Sequence, residues 1–314
     1  MRLFGMGGGD AEDEATRQRR EASAQSLAQG GLPLNAIDRL REQQSRQNTS
    51  GHIFTSDLSV NELTLTRQAG YVPLGQVMGS SVYHVGWQWM PYSSWTSGEL
   101  TTLTQAFYQA RHLALSRLYQ EAALLGATGV VGVRVERNEY EWGADLIEFA
   151  AIGTAIREAD LPPLNPSDPA AKPFLSALSG QEFWMLRQTG FRPVGIVVGN
   201  CTYYQVPNWN TQVTTSGGWL GGGWNNQELP DYTQALYQAR SLAMSRMEIE
   251  ARQFEASGVI GAKIEVKAEP REVEVGNNQH RTDMLYHFTA LGTAIAPYTG
   301  RWPVFQVLNT VSLK

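Results

Sequence analysis

The chain is 314 residues long, has a formal net charge of −5, and is 42% hydrophobic and 18% charged. This length is typical of two domains, because single hydrophobic cores rarely grow beyond about 250 residues. The acidic balance argues against nucleic acid as a partner, and no run of about 18 apolar residues suggests a membrane span. A single cysteine excludes a disulfide framework and fits a reducing compartment, so the sequence predicts a cytoplasmic protein.

The first 50 residues are predicted to form a flexible N-terminal arm that contains one short amphipathic helix. Residues 1–30 are rich in Gly, Glu, Arg, Gln and Ala and show no apolar periodicity. Leu34, Ile37 and Leu40 then follow at helical spacing. This helix is expected either to dock on a neighbouring surface or to lie on its own domain.

Two segments of the chain are so similar that they indicate a tandem duplication. Residues 105–122 and 234–251 match at 12 of 18 positions, and each is followed by a glycine-rich apolar run and a strand ending in Gly-Thr-Ala-Ile. The sequence therefore divides into the arm at 1–50, a first repeat at 51–160, a proline-rich linker at 161–172, a second repeat at 173–298 and a C-terminal strand or tail at 299–314.

Each repeat opens with a signal for the start of a helix. Ser59 and Glu62 have the spacing of a capping box, and Ser179 and Glu182 repeat it 120 residues later. A glycine follows each short helix and is expected to end it in the left-handed conformation. The shared device predicts the same local structure at both places.

The rest of each repeat predicts a strand, a long helix and two further strands. Gly79 and Gly199 lie inside the first strands, where glycine usually marks the close approach of another backbone. The long helices, at about 102–125 and 231–256, carry alanines in the middle of their apolar face, so their centres are predicted to press on the sheet. Each repeat is therefore predicted to be a two-layer β-α-β-β domain of the α+β class, with the long helix packed on a small antiparallel sheet.

The loops after the first strands contain most of the tryptophans. The loop of the second copy is nine residues longer than that of the first, and long loops with their own aromatic residues are common binding sites. These side chains are expected either to clamp a ligand by stacking or to pack at an interface. They are Trp87, Trp89, Trp95, Trp209, Trp219 and Trp224.

Two arginines and a glutamate recur on both long helices beside the apolar face. A glutamate that leans into a core needs a partner. The set is therefore expected to form ion pairs that lock the helix to the sheet or to the next subunit, or else an anion site lined by arginines. The residues are Arg111, Arg117 and Glu121 in the first copy and Arg240, Arg246 and Glu250 in the second.

Ligand spacing gives little support for a metal site. Soft metals need clustered Cys and His ligands, but Cys201 stands alone and the histidines are scattered. Met78, His84 and Cys201 fall on equivalent strands of the two copies and would meet only across a subunit contact. No nucleophile motif, zinc-protease helix or acid pair occurs, so no catalytic residue is predicted and the chain is not expected to be an enzyme.

The two repeats resemble the YbjQ-like family, which carries a heavy-metal-binding label. The resemblance implies a small dodecin-like subunit that assembles into ring oligomers, usually described as pentamers. It implies a metal ion through the family label alone, and no other cofactor is predicted. The features that carry it in the first copy, all with counterparts in the second, are Gly75-x-x-x-Gly79, Ala110-Arg111, Arg117-x-x-x-Glu121-Ala122 and Gly153-Thr154-Ala155.

The sequence is best interpreted as a non-enzymatic, homo-oligomeric, ring-forming structural or scaffold protein built from two YbjQ-like domains. The alternative is a metal- or small-ligand-binding protein with its sites at subunit interfaces. Under the first interpretation, the N-terminal arm or the C-terminal strand serves assembly or binds another protein. Neither interpretation involves nucleic acid or a membrane span.

Overall fold

The computed structural model describes residues 14–47, 53–84, 96–139, 146–165, 172–215, 226–274 and 280–298. Within these ranges the helices are α1 (Glu14–Ala28), α2 (Leu34–Arg46), α3 (Val60–Gln68), α4 (Thr101–Leu124), α5 (Gly180–Gln188), α6 (Trp209–Thr215) and α7 (Pro230–Gln253). The strands are β1 (Tyr71–His84), β2 (Gly98–Glu99), β3 (Gly129–Glu139), β4 (Leu146–Glu158), β5 (Phe174–Leu175), β6 (Phe191–Gln205), β7 (Gly258–Glu274) and β8 (His280–Pro297). None of these described helices is long and apolar enough to cross a membrane.

The strands form two sheets, and the three long strands of each belong to one repeat and have the same order. The first sheet has the order β1-β4-β3-β5 and the second the order β2-β6-β8-β7. In both sheets the first long strand carries an irregularity at its Pro-x-Gly, between Pro73 and Gly75 or between Pro193 and Gly195. The predicted α+β class, with two tandem β-α-β-β domains, is confirmed.

Both predicted capping boxes are present. The Ser59 hydroxyl accepts the Glu62 amide at 3.3 Å, and the Glu62 carboxylate accepts the Ser59 amide at 2.8 Å. The Ser179 and Glu182 pair repeats these bonds at 3.2 and 2.8 Å. Each helix is followed by a glycine with a φ of 85°, a conformation in which a side chain would be strained.

The long helices press on their sheets where the strand glycines lie. A Cβ atom at Gly79 would stand 2.0 Å from the carbonyl oxygen of Ala114 on α4, and one at Gly199 would stand 1.9 Å from that of Ala243 on α7. Both alanines are fully buried. The predicted close approach of helix and strand backbones is confirmed, and it holds each helix at a fixed height over its sheet.

Two short strands cross between the repeats, a feature that the sequence did not predict. Strand β2 precedes the long helix of the first repeat but pairs with β6 of the second sheet. Strand β5 leads into the second repeat but pairs in parallel with β3 of the first sheet. Each sheet therefore takes its fourth strand from the other repeat.

The N-terminal arm differs from the prediction, because residues 14–28 form a helix where the sequence predicted a flexible segment. Their Glu, Arg, Gln and Ala residues are strong helix formers, and the Arg117 guanidinium binds the carbonyl of Leu27 at the end of α1. Helix α2 lies where the amphipathic helix was predicted, with Leu40 fully buried. Residues 1–13, part of the linker (166–171) and the tail from 299 onward lie outside the described residues.

Candidate functional site

The recurring glutamates and arginines fasten each long helix to the first strand of its own sheet. Glu121 accepts the amide of Met78 at 2.9 Å, and Glu250 accepts the amide of Val198, its counterpart, at 2.7 Å. Arg117 and Arg246 each donate to a carbonyl two residues farther along the same strand, at 2.6 and 2.8 Å. These hydrogen bonds to strand backbone fasten each long helix to its sheet.

The second oxygen of each glutamate has a partner from outside its own repeat. On Glu250 this oxygen meets the Tyr108 hydroxyl, and the Nε2 atom of His112 lies 2.9 Å away. Both residues belong to α4 of the first repeat. On Glu121 the same oxygen accepts a hydrogen bond of 2.9 Å from Arg39 of helix α2.

The arginines Arg117 and Arg246 also have partners from outside their own repeat. The Nη2 atom of Arg246 donates to Glu99 of the first repeat at 2.8 Å. The Nη2 atom of Arg117 donates to the carbonyl of Leu27 in the arm, and its Nε atom to that of Gly31, each at 3.1 Å. In the second repeat the outside partners come from the first repeat, and in the first repeat they come from the arm.

Burial sets the protonation of the junction between the repeats. It raises the pKa of Glu250 to about 7, against the opposing effect of the Val198 amide, and it also raises the pKa of Glu121. Burial and then the nearby Arg111 lower the pKa of His112. Near neutral pH Glu250 is therefore only partly ionised and His112 is mostly uncharged, so their contact is a hydrogen bond rather than a full ion pair.

Arg111 and Arg240 occupy equivalent helix positions but differ in environment. Arg111 is buried against the second repeat, 3.4 Å from the Thr289 hydroxyl, and it lies over the Phe149 ring at 4.8 Å. Burial, reinforced by Arg137, lowers its pKa to about 10. Arg240 is exposed. The two copies therefore present the same helix face, and only the first copy has it covered.

The junction is also a continuous hydrophobic core. Helix α4 lies between the two sheets, and the core of the first repeat extends to Ile196 and Val198 of the second. Thr104 fixes the register: its hydroxyl accepts the amide of Thr202, and its carbonyl accepts the side-chain amide of Asn200, both at 2.9 Å. Tyr108, His112, Thr104 and Glu99 were not singled out from the sequence, although Tyr108 and Glu99 recur in the second repeat as Tyr237 and Glu228.

A cavity of about 880 Å³ opens at the junction, with His112 and Ile196 in its lining. Basic and aromatic side chains from both repeats and the linker line it together with Glu158, and they include Lys172, Arg187, Arg192, Tyr71, Tyr119 and Phe174. The Arg187 guanidinium is itself held by the Tyr71 hydroxyl at 2.8 Å. By size and lining, this cavity suits a small anionic molecule with an apolar body.

The predicted aromatic and metal residues are not brought together within the described part of the chain. Trp209 begins α6 and is 75% exposed, and the other five predicted tryptophans lie outside the described residues. Met78 and His84 lie on β1 of the first sheet, whereas Cys201 is buried on β6 of the second. No cluster of three or more His, Cys, Asp or Glu suited to a metal occurs in the described ranges.

Burial also makes Cys201 a poor metal ligand. Burial and then Glu99 raise the pKa of its thiol to about 12, so the thiolate that a metal requires is scarce at neutral pH. The residues described here therefore do not fit a heavy-metal centre.

The comparisons with known proteins agree with the duplicated fold. The model of the YbjQ family, described as "Putative heavy-metal-binding", matches residues 53–159 and 194–296. The encapsulin nanocompartment protein Rv1762c of Mycobacterium tuberculosis is 43% identical over 208 residues, which are 66% of this chain and 76% of that protein.

Shorter relatives match a single stretch of the chain. A UPF0145 protein of Mycobacteroides abscessus is 38% identical over 85 residues, 26% of this chain and 78% of that protein. Another, from Vibrio campbellii, is 35% identical over 86 residues, 26% of this chain and 81% of that protein. No solved structure matches the chain.

Proposed function

The chain belongs to the YbjQ family, two copies of whose domain it carries in tandem, and on that premise we propose that it is a non-enzymatic, homo-oligomeric assembly protein. The name of its mycobacterial relative, an encapsulin nanocompartment protein, supports a role in assembly. A cytoplasmic location is part of the proposal, supported by the single cysteine, which is buried.

The observation that carries the proposal is an unpaired sheet edge on the second repeat. In the first repeat, Gly129 and Val130 of β3 pair with β5. Their counterparts on β7, Gly258 and Val259, pair only with β8 among the described residues. An open edge of this kind is a template for a strand from another chain.

Apolar side chains farther along the same strand are exposed as well. Ile264 is 50% and Val266 43% exposed on β7. By the repeat spacing, the segment that corresponds to β5 is Phe54 and Thr55, which precede α3 as β5 precedes α5. The edge of β7 in one chain therefore suits residues 54–55 of the next chain.

Such a contact joins the second repeat of one chain to the first repeat of another. A head-to-tail contact of this type generates a closed ring if its rotation closes, and an open filament if it does not. We propose that the contact closes into a ring. The pentamer of the family gives the expected number of domains or chains in that ring. The contacts of Glu250 support a non-enzymatic role, since both oxygens of this buried carboxyl are engaged in contacts that hold the structure together.

Native mass spectrometry of the isolated full-length protein tests this proposal. The expected result is a defined multiple of 34.7 kDa, and the variant Ile264→Lys should lower that mass because it places a charge on the docking edge. Leu161→Lys makes the same change at an exposed apolar site elsewhere (47% exposed) and should leave the mass unchanged. A monomer at micromolar concentration would contradict the proposal.

A second candidate function is the binding of a small anionic molecule in the 880 Å³ cavity between the repeats, favoured by its basic and aromatic lining. The same spectra test it, because a bound molecule adds a reproducible mass to each chain. Arg192→Ala should remove that added mass without changing the oligomer. A metal ion is no part of either proposal.

A further inference from the structure

We infer that helices α1 and α2 cover a docking face of the first repeat, and that helix α7 of a second chain binds this face in their place. The inference rests on the proposed self-assembly, and it adds the partner surface and the segment that competes for it. The matching family regions begin at residue 53, so the arm is an addition to the family domain.

The first argument comes from the two equivalent glutamates. In the second repeat, the outer oxygen of Glu250 is bound by Tyr108 and His112 of the adjacent repeat. In the first repeat, the outer oxygen of Glu121 is bound by Arg39 of α2. The arm therefore supplies a substitute for a neighbouring long helix.

The second argument comes from the equivalent arginines. The adjacent repeat offers the carboxylate of Glu99 to Arg246 at 2.8 Å. The arm offers Arg117 only main-chain carbonyls, those of Leu27 and Gly31. A charged acceptor gives the stronger bond, so the arm is the weaker occupant at this position.

The arm also leaves part of the face uncovered. Met78 and Val82 on the outer side of β1 are 49% and 58% exposed, whereas their counterparts Val198 and Thr202 are each 1% exposed beneath α4. A cavity of about 570 Å³ remains between the arm and this strand, lined by Leu32, Ala36 and Arg39 on one side and Met78 and Ser80 on the other. A larger helix face would fill this space.

Helix α7 of another chain and the segment just before it carry counterparts of Tyr108, Arg111 and Glu99, whereas the position of His112 is taken by Ser241. Tyr237, the counterpart of Tyr108, is 65% exposed, and Arg240 and Glu228 are exposed as well. If α7 repeats the position of α4, Tyr237 reaches Glu121 and Glu228 reaches Arg117. The same placement of the second chain brings residues 54–55 of the receiving chain to the open edge of β7. One contact between chains therefore covers both the face of β1 and the edge of β7.

The test compares self-association of full-length variants by sedimentation velocity, with hydrogen exchange of residues 34–46 as a measure of arm release. Arg39→Glu sets a like charge against Glu121 and should tighten self-association about tenfold while speeding exchange in α2. Leu40→Asp, at a fully buried arm position, should release the arm by a second route with the same effect. Arg41→Glu makes the same charge change at an exposed position of α2 and should behave as wild type.

The role of α7 as the partner helix is tested in the Arg39→Glu variant, in which the arm is expected to be released. Adding Tyr237→Ala to Arg39→Glu should return association to the wild-type level or below. Ile249→Ala, at a 54% exposed position on a different face of α7, should not. The inference is overturned if wild type and both released variants associate equally, or if Tyr237→Ala has no effect. If the chains still self-associate in either of these cases, only the inference about the arm fails and the proposed assembly stands. If no variant self-associates, both the inference and the proposed assembly are overturned.

Discussion

Glu250 is the residue at which the helix of one repeat, the sheet of the same repeat and the helix of the other repeat meet. Its side chain is 9% exposed, and its carboxyl lies against the amide of Val198, the hydroxyl of Tyr108 and the ring of His112. A carboxyl in such a place is held more easily in its neutral form. Its titration is therefore linked to the stability of the junction.

This linkage has a definite sign. The pKa of Glu250 is raised from the ordinary 4.5 to about 7, so its contribution to stability is full below about pH 4.5 and is lost as the pH rises through 7. Glu250→Gln stays neutral throughout, so its free energy of unfolding should rise relative to wild type by on the order of 3 kcal/mol between pH 4.5 and pH 8. Urea unfolding across this range measures the difference. Glu248→Gln, at an exposed site on the same helix, should show no such trend; an equal trend in both would assign the effect to net charge.

The sequence could predict that Glu121 and Glu250 needed partners, because each stands beside an apolar helix face. It could not predict the partners, because Arg39, Tyr108 and His112 come from elements whose place is set by tertiary packing. One signal was available. Tyr108 and His112 are four residues apart and share a helix face, and Tyr108 recurs as Tyr237.

At the scale of elements, the height of each long helix is set by a glycine in the strand beneath it. The gap at Gly199 leaves no room for a methyl group, because the carbonyl of Ala243 would be 1.9 Å from it. This feature was predictable, since a glycine in the strand and alanines in the helix both point to close approach. The crossing strands β2 and β5 were not, because two residues show no periodicity.

Gly199→Ala should therefore lower the free energy of unfolding by about 3 kcal/mol, because the helix or the strand must shift to relieve the overlap. Gly79→Ala should do the same in the first repeat, where the corresponding distance is 2.0 Å. Gly98→Ala adds the same methyl group on β2, with no neighbouring atom within 4 Å, and should change stability by less than about 0.5 kcal/mol. Thermal unfolding of the three variants checks this, and similar losses for all three would refute the packing argument.

At the scale of the molecule, α4 is covered by a sheet on each side and joins the repeats into one core. The duplication in the sequence was enough to predict two domains of the same fold. The shared core did not, because the residues that form it in α4 are as apolar as those that a helix on a single sheet would need. Leu115 of α4 and Met244 of α7 illustrate this, since the sequence gives no sign that only Leu115 is buried.

Thr104 provides a test of this shared core. Thr104→Val keeps the shape of the side chain but leaves the buried amide of Thr202 without its acceptor, which should cost about 1–3 kcal/mol. Because the two residues belong to different repeats, hydrogen exchange should show the loss in both. Thr233→Val, the equivalent change on α7, should cost less in the isolated chain because that helix face is not covered. A loss confined to residues 53–159 would mean that the repeats unfold independently.

The one cysteine of the chain lies beside the Glu99–Arg246 contact, at the heart of the second repeat and 1% exposed. A thiol reagent added to the native protein can reach it only when the repeats part or the second repeat opens. When reclosing is faster than labelling, the labelling rate is the equilibrium constant for opening multiplied by the labelling rate of a freely exposed thiol. The labelling of this native cysteine therefore reports how often the junction between the repeats, or the second repeat itself, opens.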